Sequence, residues 1–600
     1  MKEPAGQEQR AFWAILLAMA VLLVWSVVFP PARAPERPTI VEEAPPPREP
    51  AQLESRDPYA ATETSEEPSR PQGSLLGLET AQGALLRATG SAERKTIEIA
   101  HGDLGLAIDA LGARATTVVL PHYEEEDERP VQLLPPSGAG ALGSVIRVGD
   151  REISLDAFVF ELVSDERTPD GRRLVWQLPL EELTLRKTFV VPDTGYVVQV
   201  AHELVEDRLG LTAWGLSWAG GMRHTEHAVG AVRGDYFQGS VLAEGKIQRK
   251  GADQLRKQAQ EFPGTTYFVA AHNKYFVGAI VPRGDQQGPA KLWHVPSGTE
   301  GEASVGAEIL APRNSSLAAS RVDYDVYIGP LDYSRMAQAG LGIEGVVDLG
   351  AKWIQPLSRM ILGLLIWLHG LIPNYGVVII IFASLINVLF FPLTFKSTRS
   401  MRDMAALKPR LDALKEKYKT EPQKMQEATM KLYKEAGVNP LAGCLPLLLQ
   451  MPIFFALYAV LFRTIELRQE PFMLWIHDLS QPDVVFQLPF ALPLIGSGIC
   501  LLPIIMGVTS FYQSKATMVD PSQKAMLYMM PVMMTFIFFT MPSGLVLYWL
   551  TSNLFTIGQK FLMKPTAGAE DVAHAPIPAP PKGKSKGRRG AGRAEATSEG

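Results

Sequence analysis

Apolar residues fall along this chain in two rhythms. From Lys95 to about residue 330 they come in short runs: Thr96–Ile99, Ala115–Leu120, Ala157–Phe160, Leu174–Leu178, Thr188–Val191 and Tyr196–Val200. Gly, Pro and Asp punctuate them, as in Pro192-Asp193-Thr194-Gly195, and this texture predicts an antiparallel β-sandwich. Beyond residue 340 the runs lengthen. Five of them predict membrane spans at 375–395, 441–462, 491–512, 524–541 and 544–563. Before these, residues 353–371 form an apolar helix with Lys352, Arg359 and His369 on its polar side; the short link Asn374-Tyr375-Gly376 to the next span favours a helix lying in the interface over one that crosses. Ala11–Phe29, 19 residues without a charge, reads as an uncleaved N-terminal anchor, although Ala32-Arg33-Ala34 also fits a signal-peptide cleavage site.

The long segments are not plain lipid anchors. Asn387, Gln450, Ser497, Thr535 and Asn553 interrupt them, and a polar group in hydrocarbon needs a partner in the bundle interior or a wet cavity. Each such residue therefore serves either a helix-to-helix hydrogen bond or the handling of polar cargo. The methionines of the penultimate segment (Met526, Met529, Met530, Met533, Met534, Met541) fit either gap filling or a soft surface for varied partners.

Charge and proline content place the remaining pieces. Residues 30–71 hold eleven prolines and few aromatics, the composition of an extended tether. The loop from Lys396 to Pro440 holds eleven Lys or Arg, which puts it in the cytoplasm and, counting spans from it, both termini inside and the β domain outside. Its signals are those of a helical hairpin. Pro409 suits the first turn of a helix to Lys419, with Leu411, Leu414 and Tyr418 on one stripe. Thr420-Glu421-Pro422-Gln423 reads as a capping box for a second helix that Gly437 ends, with Met425, Thr429, Leu432 and Ala436 on one face and Glu427–Lys431 as a supporting pair. The hairpin's basicity suits docking to acidic or ribosomal surfaces, as does the tail with Lys582, Lys584, Lys586, Arg588 and Arg589.

Catalysis finds no motif. The formal net charge of −5 averages over dissimilar parts and says little, and two cysteines, Cys444 and Cys500, exclude a disulfide framework or a cysteine zinc site. Gly583-Lys584-Ser585 mimics the end of a Walker A loop, but Pro578 stands where its first glycine belongs; neither a His-Glu-x-x-His pair nor a Gly-x-Ser-x-Gly elbow is present. No catalytic residue, cofactor or metal is expected, and nothing calls for specific nucleic acid binding.

Two stretches carry more than composition. Gly437–Tyr458, which contains Asn439-Pro440-Leu441-Ala442-Gly443-Cys444 and Gln450-Met451-Pro452, and Phe539–Trp549, which contains Met541-Pro542-Ser543-Gly544, closely resemble the signature segments of the YidC membrane protein insertase family; Glu466–Phe472 and Leu474–Leu479 are similar to it as well. The resemblance is strong over 340–565, looser over the β domain and absent from the tether. It implies a membrane α-helical core, a five-helix insertase bundle plus the N-terminal anchor, carrying the periplasmic β-supersandwich of the Gram-negative form. The implied divisions are 1–29 anchor, 30–75 tether, 76–335 β domain, 340–372 interfacial helix, 373–564 core with its cytoplasmic hairpin at 396–440, and 565–600 basic tail. It further implies a hydrophilic groove open to cytoplasm and lipid, lined by Ser384, Asn387, Gln450 and the Tyr548–Trp549 edge, with Met451 and Phe454 touching the passing segment. The implied partners are nascent membrane proteins, the ribosome, the Sec translocon and the lipid bilayer, at the cell inner membrane. One departure matters: the family usually has a basic residue five positions before the proline of Phe391-Pro392-Leu393-Thr394, where this chain has Asn387. An amide offers dipoles where a guanidinium offers charge, so water and groove polarity would carry the task. The rival readings are a secondary transporter, since broken polar spans also suit a midplane solute site, and a carbohydrate-active outer domain, which rests on fold analogy alone.

Overall fold

The computed structural model describes residues 94–136, 138–226, 236–296, 303–313, 321–438, 445–492, 496–517 and 524–562. The expected anchor, the tether and the basic tail with Lys582, Lys584, Lys586, Arg588 and Arg589 lie outside the described residues. The chain separates into a sheet unit, made of residues up to Ala351 with 459–470 and 484–499, and a helical unit made of 352–458, 471–483 and the residues from Cys500 on.

Alternation builds the sheet unit. Thr96–Ala100, Gly105–Asp109, Arg114–Glu124 and Pro130–Gln132 form a four-stranded antiparallel sheet. A fourteen-stranded sheet runs from Arg151–Ser154 at one edge to Glu161–Thr168 at the other. Along Gly171–Pro179 the inward positions Leu174, Trp176 and Leu178 are fully buried while Arg173 points out, as a strand covered on one face requires. The turn from Val191 to Val197 reverses the chain at Gly195, whose φ of +86° is open to glycine and costly for other residues. The run Ala157–Phe160 departs from expectation. It is a loop whose Val159 makes one isolated bridge to Leu111, flanked by the Gly112 amide donating to the Phe158 carbonyl and the Phe160 amide to the Ala110 carbonyl, and Phe158 and Phe160 reach the core from there.

The helical unit begins with α1 (Gln355–His369), which buries Ser358, Ile361, Leu362 and Leu365 and leaves Met360 and Trp367 exposed. Asn374 caps α2 (Tyr375–Leu389) by accepting from the Val377 amide at 3.0 Å. The expected continuous span 375–395 is broken, and α3 (Phe391–Ala406) leaves at about 60°. Pro392 explains the break, since it has no N–H to donate and its ring clashes with the carbonyl four residues back, yet it fits the first turn of a new helix.

Helices α4 (Lys408–Lys417) and α5 (Pro422–Glu435) form the basic hairpin, closed by Gly437 at φ +67°. Two details differ from expectation. No side chain caps α5, which starts on Pro422, so the Thr420 capping box does not form; and Lys431 pairs with Glu435 at 3.8 Å, one turn ahead, instead of Glu427 behind it.

The remaining helices are α6 (Leu445–Arg463), α7 (Leu501–Thr517), α8 (Lys524–Phe538) and α9 (Ser543–Leu562). The span expected at 491–512 is corrected here: its first residues belong to the strands Val484–Leu492 and Gly496–Cys500, and the helix starts only at Leu501. Pro489, Pro493, Gly496 and Gly498 suppress helix before that point. Ser497 is therefore a strand residue. Helix α9 packs against α7 and α2, and α7 against α8, where a Cβ at Gly507 would overlap Thr535. Among the described residues no single helix is long and apolar enough to cross a membrane, whereas the bent pair Tyr375–Leu389 and Phe391–Met401 is.

Candidate functional site

Three helices of the helical unit bring polar groups together. Asn387, near the end of α2, donates through Nδ2 to the Ala383 carbonyl at 2.7 Å and to Ser552 Oγ on α9 at 3.1 Å. One turn before Ser552, the Tyr548 hydroxyl is buried close to Ser552 and to Gln450 of α6 without a fully formed hydrogen bond. Asn387–Ser552–Tyr548–Gln450 is thus a chain of neutral polar groups drawn from α2, α9 and α6. Asn387 and Gln450 remain half-buried and Ser552 is nearly covered, so the chain is bonded across helices at Asn387–Ser552 without being sealed.

An aromatic cluster flanks it. The Trp549 ring stands edge-on to Phe454 at 5.5 Å and lies 5.4 Å from Phe538, while Met451, three residues before Phe454 on the same helix, is exposed. Such rings offer apolar area and a polarised edge to a passing chain.

Not every expected residue behaves alike. Tyr548 is fully buried, so the Tyr548–Trp549 pair presents only its tryptophan as an edge. Ser384 donates to the Ile380 carbonyl at 2.8 Å in its own helix, which satisfies its hydroxyl locally. Sequence reasoning missed Ser552 and Phe538; the four-residue spacing of Ser552 from Tyr548 was the available signal. Thr535 bonds back to the Pro531 carbonyl at 2.9 Å. Asn553 is buried and donates to Ser510 Oγ at 2.7 Å and Thr509 Oγ1 at 3.3 Å, which makes it a bond between α9 and α7 and no part of the polar chain.

The turn at 471–483 fixes helix ends. Asp483 Oδ2 accepts from Trp475 Nε1 at 3.0 Å and from the Leu502 amide at 2.6 Å, and Ser543 Oγ at the start of α9 donates to the Asp478 carbonyl at 2.9 Å. At Gly376 a Cβ would overlap the Phe472 ring, so the turn sits directly against the start of α2.

The sheet unit also buries ionisable groups, among them Arg468, Lys187 and Glu308. Arg468 donates through Nε to Glu226 at 2.6 Å and through Nη2 to the Glu124 carbonyl at 2.8 Å, with its guanidinium 5.9 Å and 5.5 Å from the Tyr275 and Phe276 ring centres. Lys187, fully buried, donates to the Leu142 carbonyl and to Ser144 Oγ at 3.0 Å, and burial pushes its pKa down to about 7. Burial pushes the Glu308 carboxyl up to about 7, reinforced by the neighbouring Glu152. The two line a cavity of about 160 Å³ together with Arg147, Glu261 and Lys291. Among the described residues no group of His, Cys, Asp and Glu is placed to hold a metal ion.

An apolar helical unit threaded by half-open polar groups, joined in one chain to a large antiparallel sheet unit, is the architecture of an inner-membrane protein with an external sheet domain. Residues 367–569 match the family model described as 60Kd inner membrane protein, and residues 96–364 match that of the YidC periplasmic domain. The chain is 31% identical over 598 residues to the membrane protein insertase YidC of Chlorobaculum parvum, covering 95% of this chain and 98% of that one. To its counterpart in Chlorobium limicola it is 34% identical over 511 residues, covering 82% and 86%. The chain belongs to the YidC membrane protein insertase family: a membrane α-helical core with a periplasmic β-supersandwich, located in the inner membrane, that inserts membrane proteins into the lipid bilayer.

Solved structures are more distant. An active YidC insertase with its first transmembrane domain resolved is 18% identical with a TM-score of 0.35, covering 80% of this chain and 95% of that one. A putative aldose 1-epimerase from Escherichia coli is 11% identical with a TM-score of 0.26, covering 40% and 100%. At these TM-scores neither likeness bears on mechanism. The solute-transporter alternative finds no support among the relatives.

Proposed function

We propose that insertion proceeds through a hydrophilic groove whose floor is the chain Asn387–Ser552–Tyr548–Gln450 and whose rim is Met451, Phe454 and Trp549, with Ser384 one turn before Asn387. The observation that carries this reading is that Asn387 and Gln450, from different helices, converge on Ser552 and Tyr548 and stay half-buried. Holding an ionised group at mid-bilayer costs about 3 kcal/mol on insertion scales. Neutral amides and hydroxyls avoid that cost, and together with the water they admit they offer hydrogen bonds to the polar stretch of a substrate. Its hydrophobic segment then leaves sideways into lipid, driven by its own burial. This is a partitioning device with no bond-making step, so it acts as a chaperone of insertion and not as an enzyme.

In the same reading the chain is multi-pass with both termini in the cytoplasm. The basic hairpin of α4 and α5 and the tail with Lys582, Lys584, Lys586, Arg588 and Arg589 meet the ribosome, and the Sec translocon is a partner for larger substrates. The basic loop between Lys396 and Pro440 supports that orientation. Photo-crosslinkers placed at Asn387, Gln450 and Trp549, one at a time, are expected to capture ribosome-bound nascent membrane proteins, while one at the buried Asn553 is not. Capture at none of the three, or equal capture at Asn553, sinks the groove.

A further inference from the structure

Residues Val484 to Ser514 contain no charged side chain, yet only the part from Leu501 on is helical. That helical, charge-free part is 14 residues, about 21 Å at the usual rise, against roughly 30 Å of hydrocarbon. The remaining apolar chain, Val484–Leu492 and Gly496–Cys500, is a two-stranded hairpin. Phe486 and Phe490 are 62% and 58% exposed and, with Leu488 between them, share one face of their strand, since every second residue points the same way. Val485 on the other face is also exposed. A lone hairpin is marginal in water, and an exposed apolar strand with open edges is an aggregation hazard.

Both ends of the excursion are closed. Asp483, the residue before it, accepts from the amide of Leu502 at 2.6 Å, so the hairpin leaves and rejoins the chain at the first turn of α7. We propose that this hairpin, which runs on in sequence into α7 at Leu501, is a membrane-interface element whose Phe486–Leu488–Phe490 face rests on lipid. The occupant is the bilayer, because the hairpin is continuous in chain with the helix, free of charge throughout, and wholly apolar at Phe486, Leu488 and Phe490 on one exposed face. In the orientation proposed above this is the periplasmic leaflet. The inference rests on α7 being a membrane span.

The test uses the full-length protein in liposomes of phosphatidylethanolamine and phosphatidylglycerol, with Cys444 and Cys500 replaced by alanine. Single cysteines are introduced as Phe486→Cys, Phe490→Cys, Gln487→Cys and, on the exposed side of α7, Val508→Cys, and labelled with an environment-sensitive dye. Labels at 486 and 490 are expected to be quenched several-fold more by lipids carrying a nitroxide near the headgroup than by aqueous iodide, with iodide favoured at 487. The label at 508 is expected to respond to a nitroxide near mid-chain. Iodide-dominated quenching at 486 and 490 places the hairpin in water and overturns the proposal. Quenching there by neither agent means that protein covers the hairpin, and overturns it too. If 508 also fails to respond to lipid, the span reading falls with it; if 508 responds and 486 does not, only the hairpin's role is lost. Gel filtration of each labelled variant confirms assembly, and Leu488→Cys, on the same face, offers a second reporter should a phenylalanine prove necessary for folding.

Discussion

The two units bury polar groups in opposite ways. The sheet unit buries ionisable groups and surrounds two of them closely: Arg468 has Glu226, two carbonyls and two aromatic rings around it, and Lys187 has a carbonyl and a hydroxyl. The helical unit hides no charge in its polar chain, uses neutral amides and hydroxyls, and leaves them half-open at Asn387 and Gln450. A buried charge without full compensation costs several kcal/mol, so it ends up locked, whereas a neutral dipole left partly wet costs little. Locked charges hold a structure together. In the groove proposed above, loosely held dipoles remain available to a substrate.

That contrast is broken most severely at Arg468. Arg468→Met removes the buried guanidinium that donates to Glu226 at 2.6 Å and to the Glu124 carbonyl at 2.8 Å, and the full-length protein is expected to lose about 3–5 kcal/mol in the stability of its sheet unit. Adding Glu226→Leu removes the carboxylate that Arg468 paired with and should return much of that loss. Denaturant unfolding of the purified protein in detergent measures both. A cost below about 1 kcal/mol for the single variant would mean that the ion pair is ordinary surface chemistry.

Glu308 gives a smaller, pH-dependent break. Its folded pKa of about 7 lies above the ordinary carboxylate value of 4.5, so the folded state holds this proton more tightly than the unfolded one. The stability tied to it is fully present below pH 4.5 and is lost as pH rises through 7. The protein should therefore unfold more easily at pH 8 than at pH 5, by an amount on the order of 2 kcal/mol attributable to this group. Glu308→Gln should flatten that slope, because an amide has no proton to lose. Lys187 works in the other direction, favouring the folded state as pH rises from 7 toward 10.5, so the informative quantity is the difference between the two proteins' pH profiles. Identical profiles would show that Glu308 does not titrate in this range.

The sequence made some of this plain and hid the rest for physical reasons. Strands such as Gly171–Pro179 were legible because one face is buried and alternation records it. Ala157–Phe160 had the same composition but pairs only through one isolated bridge, Val159 to Leu111, which only three-dimensional placement decides. Pro392 was visible, but whether a proline kinks a span or ends it depends on what the next turn packs against; here it ends α2. The hairpin at 484–500 was hidden because hydropathy does not distinguish an apolar strand from an apolar helix, and the prolines and glycines that decided the matter were outvoted by the length of the apolar run. At the site, Asn387 and Gln450 stood out as polar residues in apolar segments, whereas Ser552 did not, since a serine in a membrane helix usually bonds to its own backbone.

The smallest effect separates two asparagines that the sequence alone treats as equals. Asn553 is buried and donates to Ser510 and Thr509 on a neighbouring helix, so its amide is spent on packing. Asn387 makes one bond across helices, to Ser552, and one to its own helix. Hydrogen bonds between membrane helices average about 0.6 kcal/mol and reach about 1.7. Asn553→Ala should therefore fall toward the upper figure in helical-unit stability and slow insertion only in proportion to the protein lost. Asn387→Ala should cost at most about the average, yet lower the rate at which a small membrane protein enters proteoliposomes well beyond any loss of folded protein. Asn387→Gln, which keeps the amide, should recover part of that rate. Steric unfolding from heat or denaturant reads the first quantity and protease protection of the inserted substrate reads the second. If the two alanine variants lose insertion in the same ratio to stability, Asn387 is one more helix contact, and the difference between locked and open polar groups does not extend to function.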